Sequence, residues 1–322
     1  MTRPVVLAGR VAIAWIVLVL AGVAVDVVLP PRNGLLDVLA TFEQILFLTA
    51  LVAAPFALLS RARVNYAVAL VLVATALVRY GPQWVSLPPS GQANLSVTAW
   101  NVEYGADAAR RVGAGLADVN TDLVGLEEFQ PQMQVGLLAD PALSARYPYR
   151  VFDPDRGSLG AALLSRYPIL EQEASIYPTY IRAVIEPPAL GRQLVVYVVH
   201  PQSPEHLMSL AFNTDQRTAD QVAIRALISA DLAAGRTTLV LGDLNTTERD
   251  AAYSDFTVGL HDAHLDAGTG PGLTWRPDPL KFLPFGIFRI DYVLSSPDLA
   301  ALTASVKCTD LSDHCQLQAT LR

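Results

Sequence analysis

The chain runs to 322 residues with a formal net charge of −7, and 52% of its residues are hydrophobic against only 16% charged. Soluble globular chains carry about a quarter charged residues, so part of this sequence is built for apolar surroundings. An acidic chain also lacks the basic footprint that nucleic-acid binding leaves. Arg3, Arg10, Arg32, Arg61, Arg63 and Arg79 all precede residue 94 against only Asp26, Asp37 and Glu43, so the remainder is more acidic still.

The apolar excess comes first. Residues 11–29, VAIAWIVLVLAGVAVDVVL, hold one charge, Asp26, and residues 40–59, ATFEQILFLTALVAAPFALL, keep their polar residues near the start. Residues 64–78, VNYAVALVLVATALV, are shorter, but Arg79 and Tyr80 behind them can snorkel and anchor the end. A membrane span needs roughly 20 mainly apolar residues, which two segments meet and the third approaches. The expectation is a multi-pass anchor of about three transmembrane helices over residues 1–80. Arg3, Arg10 and the small residues of AGVA would also suit a cleaved signal peptide, but two further apolar segments favour retention. A buried hairpin of a soluble domain is disfavoured because these helices show no polar face.

Basic residues set the expected orientation. Arg3 and Arg10 precede the first span and Arg61 and Arg63 separate the second from the third, with only Arg32 and Arg79 on the other side. The positive-inside rule then puts the amino terminus in the cytoplasm. With three spans the rest of the chain lies outside, at the plasma membrane; with two, the conclusion reverses. Residues 81–93 are rich in Pro, Gly and Ser, as a domain boundary should be. Residues 94–322 suffice for one α/β domain.

Within that domain several apolar strands end in polar residues. LSVTAWNVEYG (95–105) alternates into Asn101 with Glu103 two residues on, and TDLVGLEEFQ (121–130) runs into Glu127 and Glu128. QLVVYVVHPQSP (193–204) stops at His200, and TTLVLGDLNTTERD (237–250) ends in Asp243 and Asn245. FRIDYVLSS (288–296) sets Asp291 in an apolar strand, and LSDHCQLQATL (311–321) opens its strand with Asp313 and His314. Alternation sends i and i+2 to one face, so Asp243 and Asn245 project together from a strand's carboxyl end, where open α/β sheets place ligands. Each has a bland reading: a turn, a solvated strand end, a satisfied histidine, or Asp291 paired with Arg289. Together, at so many strand edges, they read as one site.

The order WN, LEE, LLSRYPI, VVH, GDLN, RIDYVL, SDH resembles the endonuclease/exonuclease/phosphatase, or DNase I-like, superfamily over about residues 94–322. The resemblance implies a four-layered α/β sandwich of two mixed sheets with helices outside. DQRTADQVAIRALISADLAA (215–234) fits one covering helix. By the same resemblance, Asn101 and Glu128 would hold Mg²⁺ or Mn²⁺ with Asp313 nearby, since oxygen donors suit those ions. Glu103 sits where some members carry a further acidic ligand. Asp243 and Asn245 would position the attacking water and the phosphate. His314, oriented by Asp291, and His200 would hydrogen-bond the phosphoryl oxygens. The residue types suit the chemistry: hydrolysing an anionic phosphoester needs a cation on a non-bridging oxygen, a carboxylate for water and donors for growing charge.

Departures are visible. Many members have Gln-Glu where this chain has Glu127-Glu128, leaving either as the ligand, with Glu128 favoured by register. Gln316 replaces a usual proline. Cys308 and Cys315 are an even pair that outside the cytoplasm invites a disulfide, but some members carry a packed cysteine at the second position, so two buried thiols are expected. His206, His261 and His264 match no motif position. Trp275 and Arg276 are placed at the cleft rim or in packing, and Arg182 is open.

The expected protein is a membrane-anchored, metal-dependent phosphoesterase acting outside the cytoplasm on phosphodiesters or phosphomonoesters, lipid-linked ones included. Its layout resembles membrane-anchored bacterial members associated with teicoplanin-type glycopeptide resistance. A surface-anchored DNase-like nuclease, disfavoured by the acidic domain, and a catalytically silent membrane-tethered binding protein are the alternatives.

Overall fold

The computed structural model describes residues 3–29, 34–59, 61–204 and 213–322. Three helices come first: α1 (Arg3–Val28), α2 (Gly34–Leu58) and α3 (Arg63–Arg79). Two of them, over Val5–Val28 and Leu36–Leu58, are long and apolar enough to cross a membrane. α3 has 17 residues and so measures only ~25 Å, short of a hydrocarbon core of about 30 Å. The three pack through Ile16, Phe47, Ala50 and Leu72, while Val17, Val52, Leu70 and Val73 face outward, exposed.

Arg79 and Tyr80, expected to anchor the end of the third segment, are paired there with acidic residues of the other two helices. Arg79 Nε donates to Glu43 Oε1 at 2.6 Å, Arg79 Nη2 pairs with Asp26, and Tyr80 Oη donates to Glu43 Oε1 at 2.7 Å. Charges in apolar surroundings survive when paired in this way. That end carries the carboxyl ends of α1 and α3 and the beginning of α2, and it meets the rest of the chain. Arg249 donates to the Arg79 carbonyl at 3.2 Å and lies 4.9 Å over the Tyr80 ring. The start of the linker is docked as well: Gln83 donates to Glu248 at 3.0 Å, and its carbonyl accepts the Gly270 N–H at 2.8 Å.

Beyond it run, in order, β1 (Leu95–Asn101), α4 (Ala108–Ala117), β2 (Leu123–Glu127), α5 (Pro131–Ala139), α6 (Pro141–Arg146), β3 (Tyr149–Asp153), β4 (Ala161–Ser165), β5 (Ile169–Ile176), β6 (Thr179–Ile185) and β7 (Leu194–His200). Then come α7 (Asp215–Ala233), β8 (Thr237–Asp243), α8 (Ala251–Phe256), β9 (His261–Asp262), α9 (Ala263–Ala267), β10 (Asp291–Ser295), β11 (Ala301–Lys307) and β12 (Gln316–Leu321). One sheet has the order β11-β12-β1-β2-β4-β3 and the other β5-β6-β7-β8-β10-β9. Both are mixed: β1–β2 and β7–β8 are parallel, whereas β1–β12 and β8–β10 are antiparallel.

The layering follows from strands buried on both faces, which read as continuous apolar runs. Val97, Leu123, Val196, Leu239 and Val293 meet between the sheets. Trp100, Val124 and Leu126 face outward onto α4, α5 and α6. Tyr197, Val199 and Val240 face the opposite way onto α7 and α8. The result is the expected four-layered α/β sandwich.

Cys308 and Cys315, expected as two thiols, form a disulfide with a Cα–Cα distance of 4.2 Å. The register explains it. β11 and β12 pair antiparallel with Lys307 opposite Gln316, so the next facing pair is Cys308 and Cys315.

Candidate functional site

The inward face of each central strand leads to a polar residue. β1 sends Leu95, Val97 and Ala99 between the sheets, and Asn101 is the next position in that row. β2 runs from Leu123 to Glu127, β7 from Val196 and Val198 to His200, and β8 from Leu239 and Leu241 to Asp243. β10 carries Asp291 on the same face as Val293. Asn101 lies opposite Glu127, and Asp243 opposite Asp291. One period-two pattern thus buries the core and gathers the polar groups at its edge.

The turns after these strands aim the rest. Glu103, Glu128 and Asn245 have φ of 56°, 58° and 51°, a left-handed region unusual for non-glycine residues. Such conformations cost about 1–3 kcal/mol and cluster at functional sites. Gly242 has no alternative, because a Cβ there would lie 2.0 Å from the Val199 carbonyl oxygen.

Around Asp243 the site assembles. Its Oδ2 lies 3.6 Å from His314 Nε2, 3.7 Å from His200 Nε2, and accepts from Asn101 Nδ2 at 3.1 Å. Its Oδ1 accepts the Asn245 backbone N–H at 2.7 Å. Asn101 also donates to Glu128 Oε1 at 3.1 Å. Glu128, Asp243, Asn245, Asp313 and His314 border one cleft of about 270 Å³. Asn101, His200 and Asp291 do not line the cleft but touch residues that do: Asn101 and His200 approach Asp243, and Asp291 approaches His314.

The two histidines differ in charge. His200 Nδ1 donates to the Ser158 carbonyl at 3.1 Å, and burial lowers its pKa against the pull of Asp243. Burial thus favours its neutral form, with Nε2 on the Asp243 side. For His314, burial also opposes the charge, but Asp291, Asp243 and Asp313 raise its pKa well above the usual histidine range. Its Nδ1 lies 3.0 and 2.9 Å from the two Asp291 oxygens. Burial raises the Asp243 carboxyl to about 6, with His314 opposing. Asp291 does not pair with Arg289, which binds Asp262 at 2.9 Å instead.

Asp243, Asp291 and His314 offer atoms within 4.8 Å of one another. Within that trio His314 Nδ1 is paired with Asp291. The carboxylates of Glu128 and Asp313 at the cleft, with the Asn101 amide beside Glu128, are the donor types a hard divalent cation takes. The Asn101 amide fits that set once rotated, since its NH₂ now faces Glu128 and its Oδ1 accepts the Glu103 N–H at 3.0 Å. Asp313 Oδ2 accepts from Trp275 Nε1 at 2.9 Å. Glu103 is drawn off by Arg111 at 2.8 Å and Lys281 at 2.5 Å. Glu127 is fully buried with neither oxygen hydrogen-bonded among the described residues, and burial, then Asp291 and Asp243, push its pKa well up. Glu128, not Glu127, reaches the cleft.

Trp275 lines the cleft. Arg276 does not; it is buried and donates to Cys315 Sγ at 2.9 Å and the Thr309 carbonyl at 2.6 Å. Arg182 is bound to Asp231 at 2.8 Å, His261 to Asp266 at 3.0 Å, and His264 to the Gly270 carbonyl at 3.1 Å. His206 lies outside the described residues. Sequence reading missed Thr41, Arg217, Asp250 and Phe288, which also line the cleft. Thr41 and Arg217 lie in helices without a site motif, and Asp250 and Phe288 flank the GDLN and RIDYVL motifs without belonging to them; only folding brings all four here.

The sequence profile of the endonuclease/exonuclease/phosphatase family matches residues 98–314. No curated protein matches the chain. Among solved structures, truncated TDP2 from Caenorhabditis elegans is 19% identical, with a TM-score of 0.55 over 70% of this chain and 96% of its own. TDP2 from D. rerio, complexed with single-strand DNA product, is 21% identical, with a TM-score of 0.55 over 71% and 98%. A mannosyl-6-phosphatase from Bacteroides thetaiotaomicron is 15% identical, with a TM-score of 0.52 over 71% and 99%. At these identities the likeness is one of fold.

Proposed function

Because this chain belongs to the endonuclease/exonuclease/phosphatase family, we propose that it is a membrane-anchored, divalent-metal-dependent phosphoesterase whose cleft faces the outside of the cell. The observation that carries the reading is the convergence of Asn101, Glu128, Asp243, Asn245, Asp313 and His314, from distant strands, on one cleft. Mg²⁺ or Mn²⁺ held by Glu128, Asp313 and Asn101 would neutralise charge on a non-bridging phosphoryl oxygen. Asp243 orients and deprotonates the attacking water, and Asn245 positions the phosphate beside it. The His314 imidazolium, held by Asp291, donates to the phosphoryl group as negative charge grows. His200, neutral with Nε2 free, takes its place beside Asp243 and acts on phosphate only when protonated.

Membrane anchoring rests on two apolar helices with only 22% and 28% of their most hydrophobic windows buried, unlike the core helix of a soluble protein. Sidedness rests on three observations. The carboxyl end of α3 returns to that of α1, because Arg79 meets Asp26. Arg10, Arg61 and Arg63 lie at the opposite end, which by the positive-inside rule supports a cytoplasmic placement of that end. A Cys308–Cys315 disulfide belongs in an oxidising compartment.

Incubating the full chain in nanodiscs with Mg²⁺ or Mn²⁺ and lipid phosphates, sphingomyelin, sugar phosphates or plasmid DNA tests the reading. Metal-dependent turnover of a phosphoester, lost on chelation, is expected. Absence of turnover on every substrate with either metal would overturn it. Turnover of DNA alone, weakened steeply by salt, would favour the nuclease alternative.

A further inference from the structure

One wall of the cleft belongs to α2. Thr41 lines the cleft directly. One turn earlier, Asp37 Oδ2 accepts from Arg217 Nη2 of α7 at 3.1 Å, with both side chains 1% exposed. Arg217 borders the cleft, donates through Nη1 to the Asn245 carbonyl at 2.9 Å, and leaves Nε without a partner among the described residues. A second line of contact runs from Phe42, edge-on to Phe288 at 5.1 Å. Phe288 stacks on Trp275 at 5.7 Å, and Trp275 donates to Asp313. α2 thus reaches Asn245 by one route and Asp313 by another.

Two features of this wall point to a ligand. A buried ion pair is costly to form, and this one holds a guanidinium, the side chain best suited to phosphate, beside a cleft built for phosphoesters. The lining is also divided. Glu128, Asp243, Asp313 and His314 are charged, whereas Pro204, Trp275, Phe288 and Ile290 are largely apolar. A small hydrophilic phosphate would leave the apolar part bare.

We propose that α2 is a wall of the substrate site and that the ligand is an amphiphile, a phosphoester bearing a long hydrocarbon chain. Its headgroup lies between Arg217 and the Asp243–His314 pair, and its chain leaves past Thr41 along α2 into the bilayer. This rests on the phosphoesterase reading and adds a ligand class, a route and two binding residues. Asp37 is a positioning residue, acting through Arg217.

The test needs no turnover. With Cys308 and Cys315 joined, Thr41→Cys in the full chain in nanodiscs carries a single free thiol, whose rate of maleimide labelling reports cover at that point. Dodecylphosphonate should slow labelling by at least about tenfold relative to methylphosphonate, the effect of burying roughly two methylenes. In the unlabelled chain, dodecylphosphonate alone should raise Tm, and Asp37→Asn should remove that rise. Equal protection by both phosphonates, no protection by either, or protection by a single-stranded oligonucleotide alone overturns the proposal. Hydrolysis of bis(p-nitrophenyl) phosphate by the wild-type chain separates the two failures. If it proceeds while chain length has no effect, only the amphiphile inference is lost.

Discussion

Asp291 holds His314 through both carboxylate oxygens, 3.0 and 2.9 Å from Nδ1, and so turns Nε2 toward Asp243. In the proposed reading, Nε2 is the donor that His314 keeps for the phosphate in the cleft. Asp291→Asn keeps the shape but removes the charge and permits the wrong tautomer. We expect kcat to fall by on the order of 10³–10⁴ with KM little changed, in steady-state assays of the full chain. A variant within about twofold of wild type would show that His314 does not act.

Asp243 meets His200, His314, Asn101 and the Asn245 backbone. Asp243→Ala should lower kcat by about 10²–10⁴. Removing it also relieves the burial of an acid pushed up to about 6, so Tm should hold or rise. A drop in activity that merely tracks a drop in Tm would argue for a structural role.

The disulfide closes a loop spanning a sequence separation of 7 that carries Asp313 and His314. Chain-entropy arguments give such a small loop about 2 kcal/mol. Cys308→Ser should therefore lower Tm modestly. Its larger effect should be on kcat, since Asp313 and His314 lose a fixed frame. Reductant added to the wild type should reproduce both changes, and insensitivity to reductant would contradict the pairing.

Asp250 gives a pH signature. Its Oδ2 accepts from Thr246 and Thr247, while burial, then Asp37, raise its pKa to about 7 against Arg217. A carboxyl raised above its unfolded value favours the folded state at low pH. Stability should fall as pH rises from about 4 through 7, by on the order of 3 kcal/mol. Asp250→Asn, which keeps an acceptor and cannot ionise, should flatten that slope in thermal melts taken between pH 5 and 8. An unchanged slope would place the titration elsewhere.

Topology has its own readout. Reporter fusions after residue 62 should register as cytoplasmic and fusions after residue 322 as external, because Arg61 and Arg63 lie at the far end of the helices from Arg79. Both reporters on one side would mean that α3 does not cross.

Much of this was written in the sequence, and the reason is periodicity. A strand buried on both faces announces itself as an apolar run, and its last inward position is the one place a carboxylate can reach water. Asn101, His200 and Asp243 were therefore legible as strand ends, Asp291 as an acid set in an apolar strand, and Glu128 by its place after Glu127. The left-handed turn that carries Glu128 to the cleft while Glu127 is buried had no such signal. Nor did the Cys308–Cys315 bond, which depends on the register of β11 against β12. The sequence by itself determined that apolar helices precede an α/β sandwich and that its strands end in acid, amide and imidazole. Only the tertiary structure decided that Asp37 and Thr41 of a membrane-type helix stand at the same cleft as Arg217. Such contacts join residues some 180 positions apart, and they follow from how α2 docks against the sandwich, through an ion pair and an aromatic contact, rather than from any local pattern.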